Sequence, residues 1–143
     1  MVGIATIMMS CSSGTAYKSY DDYPVRSDDL VEMVYNPSGT VFMVWAPTAD
    51  DVRVMLYDEG DSETVPYTMT RLERNADGTW KGVVPGDHLD KFYAFNVKVG
   101  DKWLGETPGI NARAVGINGK RGAIINMFAT NPPGWESDRR PEL

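Results

Sequence analysis

The chain has one His, one Cys and 20 Asp and Glu with which to do chemistry, and their spacing can be tested directly. The single histidine, His88, sits in a Gly-Asp-His turn. A general base needs a nucleophile within hydrogen-bond reach. No G-x-S-x-G elbow supplies one, so His88 reads as a surface turn residue. Glycoside hydrolysis needs two carboxylates converging from separate elements across a cleft. Asp21-Asp22, Asp28-Asp29 and Asp50-Asp51 are instead adjacent pairs in turns, where acids are ordinarily solvated. The run from Gly116 to Gly122 approaches a phosphate loop, but that pattern needs Gly at 114 and Ser or Thr at 121, where Ala and Arg stand. Asp58, Asp61 and Glu63 are grouped as calcium ligands could be. The calcium loop's sixth-position Gly is missing, however, and Met69 stands in place of its closing Glu. One Cys and one His cannot build a zinc site from those residue types alone, nor a disulfide within the chain. The chain is therefore expected to carry no complete catalytic site, no metal and no cofactor.

Sugar binding asks for an aromatic face with polar side chains beside it. Trp103, with Asn96, Lys98 and Lys102, meets that need if strand pairing brings them together. Gly100-Asp101 reads as a two-residue turn, pairing Val99 with Lys102, Lys98 with Trp103 and Val97 with Leu104. Paired residues share a face. Val97 and Val99 line the apolar face, which puts Trp103 on the other, beside Lys98 and near Asn96. A slip of one residue would reverse this. Trp103 then has two readings: a stacking platform for a glucose ring, or an edge aromatic covered by a neighbouring domain.

These residues need elements to hold them. The chain has 143 residues, enough for one domain and one core. Short β-like runs alternate with turn signals, and no window holds a helical period. Leu30–Tyr35 ends at an Asn-Pro-Ser-Gly turn. Thr40–Ala46 is apolar on both faces, which predicts a covered central strand and places Trp45 in or near the core. Asp51–Tyr57 alternates. Pro66–Asn75 and Thr79–Val84 flank Asp77-Gly78, a strong hairpin signal, and Trp80 reads as core. Lys91–Val99, Lys102–Leu104 and Gly122–Met127 complete the set. The pattern predicts an all-β sandwich or barrel.

A net charge of −6 argues against nucleic acid as a partner. Residues 1–10 are apolar and uncharged, and Cys11 comes next, as at the cleavage box of a bacterial lipoprotein signal. That predicts Cys11 as a lipidated residue and a place in the bacterial cell envelope or periplasm, the membrane being reached only through the anchor. The alternative is a cytoplasmic protein. Thr15 to Asp29 is polar and reads as a tether.

The order of residues resembles a known family. Thr40-Val41-Phe42-Met43-Val44-Trp45-Ala46-Pro47-Thr48-Ala49 and the next strand, Val52 to Tyr57, resemble the F-x-V-W-A-P-T-A region of type I pullulanases, of glycoside hydrolase family 13. Tyr67-Thr68-Met69, Gly78-Thr79-Trp80 and Val84-Pro85-Gly86-Asp87 are similar to later segments in the same order. Ala112 to Gly122 resembles the family's A-x-A-V-G-x-N-G-K-R-G segment, which leads toward the catalytic barrel. The resemblance implies an immunoglobulin-like β-sandwich of the carbohydrate-binding module family 48 type, packed beside a (β/α) barrel that hydrolyses α-1,6 linkages in α-glucan. It also implies departures. Glycogen-binding relatives use two Trp and a Lys on one face; Trp103 matches one Trp, Ala94 stands at the Lys position, and the acidic loop after Tyr57 offers no second Trp.

These readings divide the chain into a signal and tether over 1–28, a sandwich over 29–128 and a linker over 129–143 toward a barrel expected to begin near Leu143. Asn118, Lys120, Arg121 and Trp135 are expected at the interface with that barrel, although Lys120 and Arg121 could equally satisfy local turn carbonyls. The expected function is a non-catalytic N-terminal domain of a pullulanase-type debranching enzyme. The alternatives are a free-standing glycogen- or starch-binding module using Trp103, and an envelope-anchored scaffold.

Overall fold

A computed structural model of the chain describes residues 17–25, 30–61 and 63–140. Two antiparallel sheets face each other. One has the order β1-β2-β6-β5, built from β1 (Met33–Val34), β2 (Gly39–Trp45), β5 (Glu73–Arg74) and β6 (Thr79–Pro85). The other runs β4-β3-β7-β8, from β3 (Asp51–Tyr57), β4 (Thr68–Arg71), β7 (Phe92–Val99) and β8 (Lys102–Thr107), with β9 (Gly122–Ala123) pairing β7. This is the immunoglobulin-like sandwich that the family resemblance implies, and it resolves the sandwich-or-barrel choice that the alternating runs left open.

The core is set by the period-two pattern. Phe42, Trp80 and Val84 point inward from the first sheet and Val52, Val54, Leu56, Tyr93 and Phe95 from the second, all buried in one cluster with Leu72 and Ile124. The Phe42 ring meets Tyr93 at 5.1 Å and Phe95 at 6.3 Å between centroids. Trp80 donates its indole N–H to the Ala46 carbonyl at 3.0 Å, so its polar edge is satisfied as the ring is buried.

Three features differ from the sequence expectations. The run Pro66–Asn75 is not one strand: it crosses from the second sheet to the first at Leu72, whose N–H bonds to Val52 and whose side chain enters the core. Gly82 makes the crossing possible, because a Cβ there would lie 2.7 Å from Leu72 Cδ2. Trp45 is not in the core but 41% exposed; β2 turns Phe42 and Val44 inward and Trp45 outward. An apolar run on both faces thus marked a strand with one packed and one partly open side. The expected tether is only partly extended chain. Its described part, 17–25, forms a 3-10 turn at Tyr20–Asp22, capped by Ser19, and lies against the first sheet, with Tyr23 touching Trp45 and Pro24 beside Gly78. Cys11 and Asp28-Asp29 lie outside the described residues.

Candidate functional site

The Gly100-Asp101 turn brings Trp103 opposite Lys98, with Asn96 two residues along on the same face, whereas Lys102 pairs with Val99 and so lies on the other face, apart from the candidate site. Val99 pairs with Lys102 and Lys98 with Trp103, which places the half-buried Trp103 on the outer face of the second sheet. The expected Val97–Leu104 pair is replaced by a bulge: Asn96 pairs with Glu106, so Leu104 and Gly105 both lie opposite Val97. Gly105 has φ +99°, a left-handed conformation that glycine adopts freely. Because the bulge comes after Trp103, the one-residue shift leaves its face unchanged.

Sequence reasoning missed Arg53. It pairs with Asn96 across β3 and β7, and its guanidinium carbon lies 4.2 Å from the centre of the Trp103 ring. The neighbouring Asp51 bridges Arg71 at 2.9 Å and reaches Arg53 at 3.9 Å. A cation therefore already covers one face of the indole that a sugar would need. Only period-two counting on β3 could have flagged Arg53, since nothing local pairs it with position 103.

Farther along the same face, the chain covers itself. Met55, Tyr57 and Ala94 are buried there although they point away from the core. Arg121 lies over Tyr57, with its guanidinium carbon 3.4 Å from the ring centre. It donates from Nη1 to the Glu59 carbonyl at 2.9 Å and to Thr64 Oγ1 at 2.7 Å, and from Nη2 to the Thr64 carbonyl at 2.9 Å. The acidic loop and the 114–123 segment are thereby clasped together. Gly60 and Gly116 allow the close approach: a Cβ on Gly116 would lie 2.7 Å from the Gly60 carbonyl oxygen.

The segment expected to face a barrel is a hairpin. Val115 bridges Gly122, Gly116 N–H bonds to Arg121, and Ala123 N–H bonds to Ala114. Its tip holds Asn118 at φ 55° and Gly119 at φ 64°, and both Asn118 and Lys120 are exposed. Arg121 differs from them. It is 2% exposed, with Nη1 and Nη2 bonded to the Glu59 and Thr64 groups and Nε buried without a partner, so it has no surface to offer another domain. Trp135 sits in a 3-10 turn and is 60% exposed.

A second buried contact ties down the approach to this hairpin. Glu32 is 2% exposed and accepts from Tyr93 Oη at 2.6 Å and from the Asn111 N–H at 2.9 Å. Gly109 lies so close that a Cβ there would overlap the carboxylate. No motif announced Glu32, which sits in an ordinary β-run.

Burial, and then the Glu106 carboxylate, raise the Tyr57 phenol well above the usual tyrosine range. Burial, and then Glu32, do the same to Tyr93. Both phenols are held neutral in the fold, so their contribution is complete below about pH 10 and is lost as pH rises above it. The expected decline is about 1.4 kcal/mol per pH unit for each phenol. Chemical denaturation between roughly pH 9 and pH 12 checks it. Tyr57→Phe should flatten the profile, and an unchanged profile would contradict the assignment.

His88 behaves as a turn residue. Its Nε2 donates to the Pro85 carbonyl at 2.9 Å, which leaves Nδ1 to accept from Tyr67 Oη at 3.0 Å. Among the described residues, no three His, Cys, Asp or Glu side chains are grouped to hold a metal ion.

Comparison with known proteins places this geometry. The sequence profile of the family described as carbohydrate-binding module 48 (isoamylase N-terminal domain) matches residues 30–113. The pullulanase of Bacillus subtilis is 36% identical over 98 residues, which is 68% of this chain and 13% of that protein. The crystal structure of the Paenibacillus barengoltzii pullulanase in complex with maltohexaose and α-cyclodextrin superposes with TM-score 0.74 at 40% identity, covering 86% of this chain and 18% of that one. The pullulanase of Bacillus acidopullulyticus gives TM-score 0.73 at 30% identity, covering 82% and 14%. The chain thus spans less than a fifth of the length of each of these relatives.

Proposed function

The chain belongs to the carbohydrate-binding module 48 family, and on that premise we propose that it is a non-catalytic domain supporting the catalytic barrel of a pullulanase-type α-glucan debranching enzyme. The observation that carries this reading is the pair of buried contacts on residues 109–123. Arg121 and Glu32 hold that segment to both halves of the sandwich. A segment fixed at its base presents the next domain at a fixed angle, which a flexible linker cannot do. Asn118, Lys120 and Trp135 are then the side chains available to meet the barrel, while Arg121 acts from within.

Joining this chain to the B. subtilis pullulanase in place of its matching stretch tests the reading. The chimera is expected to hydrolyse pullulan, and Arg121→Ala is expected to make it inactivate at a lower temperature. A pullulanase that loses the stretch altogether and keeps its full rate and heat resistance would count against a supporting role.

Glucan binding through Trp103 is the second reading, supported by its outward position beside Lys98. Arg53 stacked on the ring opposes it. Trp103→Ala is therefore expected to leave migration through glycogen-containing native gels unchanged, while costing about 0.5–1 kcal/mol of stability through the lost cation–π contact. A marked loss of retardation would restore the Trp103 platform.

An envelope location with Cys11 as lipid anchor belongs to the same proposal, supported by the apolar run before it. Incorporation of labelled fatty acid that disappears in Cys11→Ser would support it; unlabelled protein in a bacterial host would refute it.

A further inference from the structure

We propose that the outer face of the first sheet binds an α-1,4-linked glucan chain on an aromatic cluster of Tyr17, Tyr20, Tyr23 and Trp45. This site lies on the sheet opposite Trp103. Tyr23 is its hub, with centroids 5.0 Å from Tyr17, 5.3 Å from Tyr20 and 6.3 Å from Trp45, at interplanar angles of 63°, 64° and 62°. Each edge-to-face contact covers a face of only one ring of its pair. Tyr20 is 84% exposed and Trp45 41%. A shallow depression of about 400 Å³ lies between Tyr20, Tyr23, Pro24, Val25 and Trp45. A second of about 390 Å³ is bordered by Tyr17, Arg74, Asn75 and Ala76.

The core does not require this arrangement. Trp80, paired beside β2, already fills the interior, and the segment carrying the three tyrosines was free to stay extended. Instead a capped turn holds them: Asp22 Oδ2 accepts from the Lys18 and Ser19 N–H groups, and Ser19 Oγ accepts from Asp21 N–H. The same turn carries the exposed Asp21, next in sequence to Tyr20. Exposed aromatic surfaces on a turn that also carries carboxylates suit a pyranose, which has an apolar face and a rim of hydroxyl donors. They do not suit an anion, which Asp21, Asp22 and the net charge of −6 would repel. The choice of an α-glucan among sugars rests on the proposed function; the stacking surface rests on the geometry.

Affinity electrophoresis of the 143-residue chain through glycogen gels, with hydroxyethylcellulose gels as the β-linked control, tests the site. Retardation is expected in glycogen alone. Tyr20→Ala and Trp45→Ala should each weaken it by about fivefold or more in apparent Kd, and Trp103→Ala should not. Tyr20 is so exposed that its removal leaves the core intact, and a thermal melt checks Trp45→Ala. Unretarded mobility, equal retardation in both gels, or retardation that survives Tyr20→Ala and falls in Trp103→Ala would overturn the proposal. The support of the barrel is judged separately, by the chimera.

Discussion

Arg121→Ala is expected to cost about 3 kcal/mol of folding stability, lowering Tm by roughly 10 °C. The side chain is buried, and its charge is matched by three acceptors and an aromatic face rather than by a carboxylate. Removing it takes the donors from the part-buried Glu59 and Thr64 groups and the cover off Tyr57. Hydrogen bonds to a charged group contribute more than neutral ones, and orphaned partners add their own cost. Arg121→Lys should recover little, because an ammonium cannot reach the Glu59 and Thr64 groups from one planar fork while lying flat on a ring. Thermal denaturation of both variants checks this. A lysine variant as stable as the parent would show that charge alone suffices.

Glu32 carries the other large effect. Glu32→Ala leaves the buried Tyr93 Oη and the part-buried Asn111 N–H without their acceptor, with an expected loss of about 3 kcal/mol. Gly109→Ala should cost about 1–3 kcal/mol by a different route, since the new methyl overlaps the carboxylate. The two changes act on one contact and should not add. In the Glu32→Ala background the carboxylate is gone, and most of the Gly109→Ala penalty should vanish. Urea denaturation of the single and double variants closes the cycle; strictly additive losses would mean that the two residues act independently.

The sandwich was legible because its core strands alternate cleanly. Tyr93 and Phe95 declared their face, and the Gly100-Asp101 turn fixed the register as far as Trp103. Beyond Trp103 the register was not legible, because the shift depends on Gly105 taking a positive φ and Gly has no single preferred conformation. Leu72 was read inside one strand because a change of sheet leaves no mark on the period-two pattern. Trp45 reads as core or near-core from sequence because aromatic character does not say which side of a strand another segment will cover. The clasp was hidden for a related reason. Arg121 lies 57 residues from Thr64, and Glu32 lies 79 from Asn111. Neither end of such a contact carries a motif. The family resemblance drew attention to the segment through Gly122, but only the fold reveals that Arg121 faces inward while Asn118 and Lys120 face out.

Native-state hydrogen exchange on the unaltered chain tests most directly whether the 114–124 segment is held rigid. The amides of Gly116, Ala123 and Ile124 donate to Arg121, Ala114 and Lys91, respectively. They are expected to exchange only with global unfolding, at the rate of the β3 and β7 amides. In Arg121→Ala, Gly116 and Ala123 should open locally while the core strands stay protected. Fast exchange of residues 114–124 in the unaltered chain, beside a protected core, would contradict a domain built to hold its neighbour at a fixed position.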